Sequence, residues 1–540
     1  MSSFDPIRLE VLRNALEASA QEMGVVLKCT AFSPNIKERM DASCAIFNAD
    51  AELVAQAEHV PVHLGSMLKA VGPTLAELPP LKEGDVVIVN DPFIAGAHLP
   101  DITLIAPVFA DGLLVAHVAS RAHHSDVGGM EPGSMPGSSI EIYQEGLIIP
   151  PVLLYESGVE QSGILRMVLA NVRTPEERRG DLNAQLAALR VGETRIKELA
   201  ARFGVDGLKE GLSAILAYSE RRMLKRLAEL PPGRYEAEDW LDDDGSSPER
   251  VLIKVAVEVS PDGLVFDFEG TAPQRRGNVN AVKPMTHSAV FYAIKILTDA
   301  TLPPNAGVLR PVEIRIPHGS FLDARAPAAV CAGNTETTQR VADTVLRAFA
   351  QIAPERIAAA SQGTMNLIGI GGRDPRNARP YTYIETIGGG QGGRPYGNGM
   401  HGVHANMSNT LNTPVEALEI SYPLRIERYE LREGSGGDGY HVGGEGLIRA
   451  ITAIDHEARV SLQSDRRLTG PYGLHGGASG ATGQNSVRDG QGNIKALAGK
   501  GSVTLAPGET VIVETPGGGG WGMRNLPEEQ SQERVALKTA

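Results

Sequence analysis

The densest set of groups able to do chemistry lies in segment 90–129, which carries His98, Asp101, His123, His124 and Asp126. Apolar runs at 102–110 and 113–119 flank Asp111-Gly112. An Asp-Gly pair between two apolar runs predicts a β-hairpin, because both central residues of a type I′ turn need positive φ. With Ala110 facing Leu113, Asp101 falls opposite Ala122 and His98 near Ser125. The hairpin mouth then gathers imidazole nitrogens and carboxylate oxygens, a donor set that suits a divalent transition metal. Side chains alternate along a strand, so His117, Ala119, Arg121 and His123 share one face and His124 takes the other. His123 is therefore the better ligand, and His124 backs the site or faces a substrate.

Several neighbouring elements must position these groups. Asp5-Pro6 reads as N-cap and first residue of a helix reaching about residue 27, with an apolar stripe of Ile7, Val11, Ala15 and Ala18 joined by Leu12, Leu16 and Met23. A loop from Ser33 leads to Glu38, Arg39 and Asp41, ahead of a strand at 43–47. These three charges form either a salt-bridged loop or a further carboxylate for the metal. His59 and His63 are read as cleft wall rather than ligands. Segment 130–139, rich in Gly, Pro, Ser and Met, reads as a mobile loop beside the site. In the helical stretch 162–225, Asp181 and Gln185 stand one turn apart, on a cleft or on a solvated face. Segment 332–338, AGNTETT, precedes a helix at 339–352 and is either an anion or polar-substrate site or an ordinary cap. Glycines at 434–446 and 517–520 read as tight turns between strands. The expected fold is α+β and multi-lobed, with mixed and antiparallel sheets, packed helices and a Gly-rich β lobe at the C-terminal end. The expected divisions are a metal-site lobe at 1–160, a helical segment at 161–235, an α+β lobe at 236–380, the Gly-rich lobe at 381–525 and a disordered tail at 526–540.

Composition narrows the function. The chain has 540 residues, 42% hydrophobic and 21% charged, with a net charge of −14 and no basic block, which argues against nucleic-acid binding. No apolar run is long enough to span a membrane, and the N-terminus lacks the pattern of a secretory signal. Three scattered cysteines suggest neither a disulfide framework nor a Cys-rich zinc site, and fit a reducing cytoplasm. There is no G-x-x-x-x-G-K-[ST] loop, no dinucleotide fingerprint, no H-E-x-x-H and no nucleophile elbow. The chain therefore binds neither ATP nor NAD by a standard motif, and the chemistry expected of it is metal-based.

Segments SPNIKERMDASCAIF (33–47), HVPVHLGSM (59–67), GDVVIVNDPFIAGAHLPDITLIAPVF (84–109), SRAHHSDVGGMEPGSMP (120–136), NVRTPEERRGDLNAQ (171–185), AGNTETTQR (332–340), GGGQGGRPYGNGMHGVHANMSNT (388–410) and TPGGGGWG (515–522) resemble, in order, the hydantoinase B/oxoprolinase family. The resemblance implies a hetero-oligomer in which a hydantoinase A-type ATPase subunit uses ATP and Mg to phosphorylate a cyclic amide. This chain would then hydrolyse the activated hydantoin, 5-oxoproline or related lactam. The implied metal ligands are His98, Asp101, His123 and a carboxylate of the ERMD segment, taken as Asp41 with Glu38 competing; Glu38 or His124 would act as general base. The ion would be Mn, Fe or Zn. The alternative is a subunit of an acetone- or acetophenone-type ketone carboxylase, which the compactness of the chain disfavours. A non-catalytic assembly subunit is a weaker third reading.

Overall fold

The computed structural model describes residues 5–58 and 60–524, so His59 and the tail at 526–540 lie outside the described residues. A seven-stranded antiparallel sheet holds the site. Its strands are β1 (Ala42–Asn48), β2 (Leu53–Glu58), β3 (Val86–Val89), β4 (Asp101–Ala110), β5 (Leu113–His123), β6 (Val152–Glu156) and β7 (Val159–Glu160), in the order β2-β1-β5-β4-β3-β6-β7. β4 and β5 lie inside the sheet and are buried along most of their length.

The hairpin turn forms as its residues require, with φ of 51° at Asp111 and 74° at Gly112. Its register differs from the expectation. Ala110 pairs with Leu113 and Phe109 with Leu114, but a bulge follows and Val108 pairs with Ala116. The extra residue shifts every later pair by one, so Asp101 stands opposite His123 rather than Ala122. The bulge therefore places two candidate ligands side by side on one face.

Two long helices cover this sheet. Helix Pro6–Thr30 is capped by Asp5, whose carboxylate accepts from Ile7 N at 3.3 Å, and it buries Leu12, Leu16, Ala20, Met23 and Leu27. It packs against helix Pro175–Phe203, where Gly192 admits the Met23 side chain; a Cβ there would lie 2.5 Å from Met23 Sδ. Helix Val205–Leu227 follows, and a second sheet is built from Gly233–Leu241, Val251–Ser260, Gly263–Asp267 and Val312–Arg315. One continuous apolar core runs through these layers from Leu12 to Met407. Two further sheets, including Leu367–Arg373 with Ala458–Gln463 and Gly446–Ala453 with Thr510–Glu514, enclose a second core. The fold is thus mixed α+β with several antiparallel sheets. Among the described residues no helix is long and apolar enough to cross a membrane.

Two expectations need correction. Segment 130–139 is not an open loop: most of it is buried, and Ser134 Oγ accepts from Val127 N and donates to Gly128 O, each at 2.7 Å. Likewise, 517–520 is no turn. Gly517 N, Gly518 N, Gly519 N and Gly520 N donate to Ala481, Gly444, Ala360 and Ala478 carbonyls in succession. The donors rotate through three neighbouring segments and return to the first after three residues, the period of a polyproline-type helix. Glycine is needed there for close approach, since a Cβ on Gly518 would stand 2.1 Å from Gln391 O.

Candidate metal centre

His98, Asp101 and His123 each bring a ligand-capable atom within 4.8 Å of the others, and all three are buried. The imidazole rings of His98 and His123 meet edge to face, 4.9 Å apart. Three backbone devices aim these groups. The turn that carries His98 starts at Asp91, which caps Pro92–Ala95, and leaves through Gly96 at φ 72°. Asn90 Nδ2 donates to Leu99 O at 2.8 Å and pins the loop. His98 Nδ1 lies 3.2 Å from the Cys331 carbonyl, which can only accept, so Nδ1 carries the proton. Nε2 faces Asp101 Oδ1 at 3.4 Å; burial works against protonation there, but the facing carboxylate outweighs it and holds His98 above its ordinary value.

Asp101 is held from the far side. Its Oδ2 accepts from Asn334 Nδ2 at 2.9 Å, and His63 Nε2 approaches the same oxygen at 3.7 Å. Its Oδ1 is buried without a hydrogen-bond partner among the described residues. Burial alone would disfavour the carboxylate, but the facing His98 and His63 imidazoles outweigh it and hold the group well below the usual range. Burial pushes His123 down to about 4 against the pull of Asp41, so its imidazole is neutral near pH 7. A buried carboxylate with one idle oxygen, beside two imidazole rings, fits a divalent ion with N and O preference.

Asp41 lines the same cavity, and its carbonyl accepts from His123 N at 3.0 Å. Glu38 does not line it, and its Oε2 is buried without a hydrogen-bond partner among the described residues. The expectation of a salt-bridged loop also fails for Arg39, which bonds to Asn35 Oδ1, Ile384 O and Thr386 Oγ1. Asn35 in turn donates to the His123 carbonyl at 2.7 Å, and its Nδ2 stands 3.1 Å from His123 Nδ1. His63 lines the cavity, in keeping with its reading as cleft wall.

His124 is on the opposite face, as strand alternation requires, and is fully buried away from the cavity. Its Nε2 lies 2.9 Å from Gln185 Oε1. Gln185 Nε2 donates to Ile102 O and Ser120 O at 2.9 and 3.0 Å, so its amide orientation is fixed and His124 Nε2 is the donor. Burial and nearby Arg178 push His124 down to about 4. Held this way, neither His124 nor Glu38 reaches the cluster as a base.

One helical turn before Gln185, Asp181 Oδ1 accepts from Phe32 N and Ser33 N at 2.8 and 3.0 Å, and Arg178 pairs with its other oxygen. Helix Pro175–Phe203 thus grips both strand ends through Gln185 and the Phe32–Ser33 backbone, ahead of Asn35, through Asp181. Asp126 belongs elsewhere, paired with Arg173 at 2.8 Å. Segment Gly333–Thr337 is a π-helical turn that places Asn334 and Thr335 on the cavity wall, and it runs on into helix Thr338–Ile352. Asn35, Asn334 and the Cys331 carbonyl were not expected at the site. Of these, Asn334 alone carries a signal in sequence, as part of the polar segment 332–338 read as a polar-substrate site or a cap.

The cavity encloses about 430 Å³ counted out to solvent. Its wall carries polar side chains (Arg39, Asn334, Thr335, Ser408, Thr410) and apolar ones (Val60, Val62, Met365, Leu367, Ile384). Such a wall suits a small molecule with a polar end.

Known proteins resemble this chain in sequence and in fold. 5-Oxoprolinase 1 of Arabidopsis thaliana is 41% identical over 96% of this chain, which spans only 42% of that protein. The chain thus covers about two fifths of the length of the curated 5-oxoprolinases it matches. The solved structure of ATP-dependent caprolactamase from Pseudomonas jessenii matches with a TM-score of 0.90 at 30% identity, over 99% of this chain and 94% of that one. A nucleotide-free acetone carboxylase structure has the same fold, with a TM-score of 0.90 at 17% identity over 96% of this chain and 76% of that one. The family model described as hydantoinase B/oxoprolinase matches residues 5–524, and the chain belongs to that family.

Proposed function

We propose that this chain is the amide-hydrolysing subunit of an ATP-dependent enzyme that opens cyclic amides such as hydantoins, 5-oxoproline or related lactams. The buried His98–Asp101–His123 cluster on the wall of one cavity carries this reading. His98, Asp101, His123 and Asp41 would hold a divalent Mn, Fe or Zn ion. When bound, such an ion polarises a carbonyl oxygen and acidifies water.

An unactivated ring amide is a poor electrophile, which is why ATP is spent. More than half of Arabidopsis 5-oxoprolinase 1 has no counterpart in this chain, leaving room for an ATPase partner of hydantoinase A type. That partner would phosphorylate the amide oxygen, and this chain would receive the activated ring. Among the described titratable side chains on the cavity wall, His63 alone stands outside both the ligand set and the Arg39 cation. Ser43 Oγ lies 3.0 Å from its Nδ1 and fixes the ring, with Nε2 turned towards Asp101. We therefore assign proton transfer to His63, in place of Glu38 and His124. The apolar wall excludes water from the ring, and Asn334 keeps Asp101 oriented.

The carboxylase alternative rests on likeness of fold alone, whereas the caprolactamase shares 30% identity over nearly its whole length. The test is reconstitution with the ATPase partner, followed by ring-opening assays on hydantoin, 5-oxoproline and caprolactam. ATP-dependent hydrolysis lost in His123→Ala is expected. Full hydrolysis by that variant, or ketone carboxylation without ring opening, would refute the reading.

A further inference from the structure

Arg39 is a buried cation with no carboxylate partner among the described residues. It is 1% exposed, and its acceptors are all neutral: Asn35 Oδ1 and Ile384 O at 2.6 Å each, and Thr386 Oγ1 at 2.8 Å. Its Nε has no partner. Burying a guanidinium against neutral groups alone is costly, so the position demands an anion. The same side chain lines the cavity that holds His98, Asp101 and His123. Hydroxyl groups continue the polar wall: Thr386 Oγ1 lies 2.8 Å from Thr410 Oγ1, and Ser408 sits beside them.

Charge points the same way. With a divalent ion at the cluster, Asp41 and Asp101 balance it and Arg39 leaves the site with surplus positive charge. The planar guanidinium fork matches two oxygens of a carboxylate or a phosphoryl group.

We propose that Arg39, with the Thr386 and Thr410 hydroxyls, forms an oxyanion-binding subsite beside the candidate metal centre, taking a phosphoryl or carboxylate group of the ligand. A phosphoryl group would come from an activated amide, a carboxylate from the ring itself. The subsite draws its location from the proposed centre, but its own chemistry needs only Arg39 and the hydroxyls.

The test is calorimetric titration of the full chain with inorganic phosphate and, separately, acetate, with metal content measured on the same samples. The wild type should bind at least one of the two. Arg39→Met should weaken that binding by at least about tenfold, the loss of charge-assisted bonds. Arg39→Lys should keep part of it, since charge remains while the fork is lost. Binding of phosphate alone assigns the subsite to a phosphoryl group, and binding of acetate alone to a ring carboxylate. No binding by the wild type, or equal binding by Arg39→Met, overturns the proposal. Should Arg39→Met fail to fold, unchanged binding by Arg39→Lys overturns it instead. Arg39-dependent binding in a chain that holds no metal would refute the metal reading and leave the subsite standing.

Discussion

Replacing Gln185 with leucine removes one side chain that makes three buried hydrogen bonds, to Ile102 O, Ser120 O and His124 Nε2. Each contact falls within three residues of a candidate ligand, since Ile102 follows Asp101 while Ser120 and His124 bracket His123. Leucine fills similar volume but leaves two carbonyls and one imidazole N–H without partners in the interior. At about 1–3 kcal/mol for each such group, the loss is on the order of 4 kcal/mol. Unfolding entropy of about 2.1 cal/mol/K per residue turns this into a fall in Tm of about 3–4 °C over a single cooperative transition of the whole chain. Gln185→Glu keeps the acceptor for His124 but turns a carboxylate oxygen towards both carbonyl oxygens, so it should fall at least as far. Differential scanning calorimetry reads both shifts, with far-UV circular dichroism to confirm native secondary structure. Metal affinity should weaken about 10–100-fold in each, as for other groups that orient ligands from behind. Shifts under about 1 °C in both variants, with unchanged metal affinity, would show that the helix does not hold the strand ends in place.

The glycine-packed segment gives a sharp contrast. Gly518→Ala puts a Cβ 2.1 Å from a backbone oxygen and should yield insoluble chain, whereas Gly490→Ala meets nothing within 4 Å and should purify like the wild type. Burial holds His124 and His404 down to about 4. Unfolded histidines titrate near about 6.5, so the unfolded chain takes up extra protons as pH falls from there to about 4, and stability should drop across that window in urea titrations. Glu336 carries the opposite sign, because burial and then Asp465 push it up to about 7. The folded chain keeps a proton there that the unfolded chain releases above about 4.5, so stability is lost as pH rises towards 7. Glu336→Gln should therefore stabilise by up to about 3 kcal/mol at pH 8 and by little at pH 5; equal effects at both would refute the assignment.

Local chemistry made much of the site legible. Asp111-Gly112 marked the hairpin, strand alternation separated His123 from His124, and Asp5-Pro6 marked the first helix. The bulge between Val108 and Phe109 was not legible, because turn residues set register only up to the first irregularity, and that one residue decides whether His123 faces Asp101. Asn334 and the Cys331 carbonyl reach the cluster from more than two hundred residues away, through a π-helical turn that no local pattern announces. Arg39 was visible as a charge but not as an unpaired one, since its neutral acceptors Ile384 and Thr386 lie on another sheet and the loop after it. The glycines of 517–520 read as turns because glycine permits both positive φ and close backbone approach, and only tertiary packing tells the two apart.

The central claim is that the hairpin mouth is a metal centre, and elemental analysis of the purified chain beside His98→Ala/His123→Ala tests it most directly. The account predicts about one divalent transition metal per wild-type chain, lost in the double variant while circular dichroism stays native. Equal metal in both proteins, or none in the wild type after incubation with Mn, Fe and Zn, would contradict it.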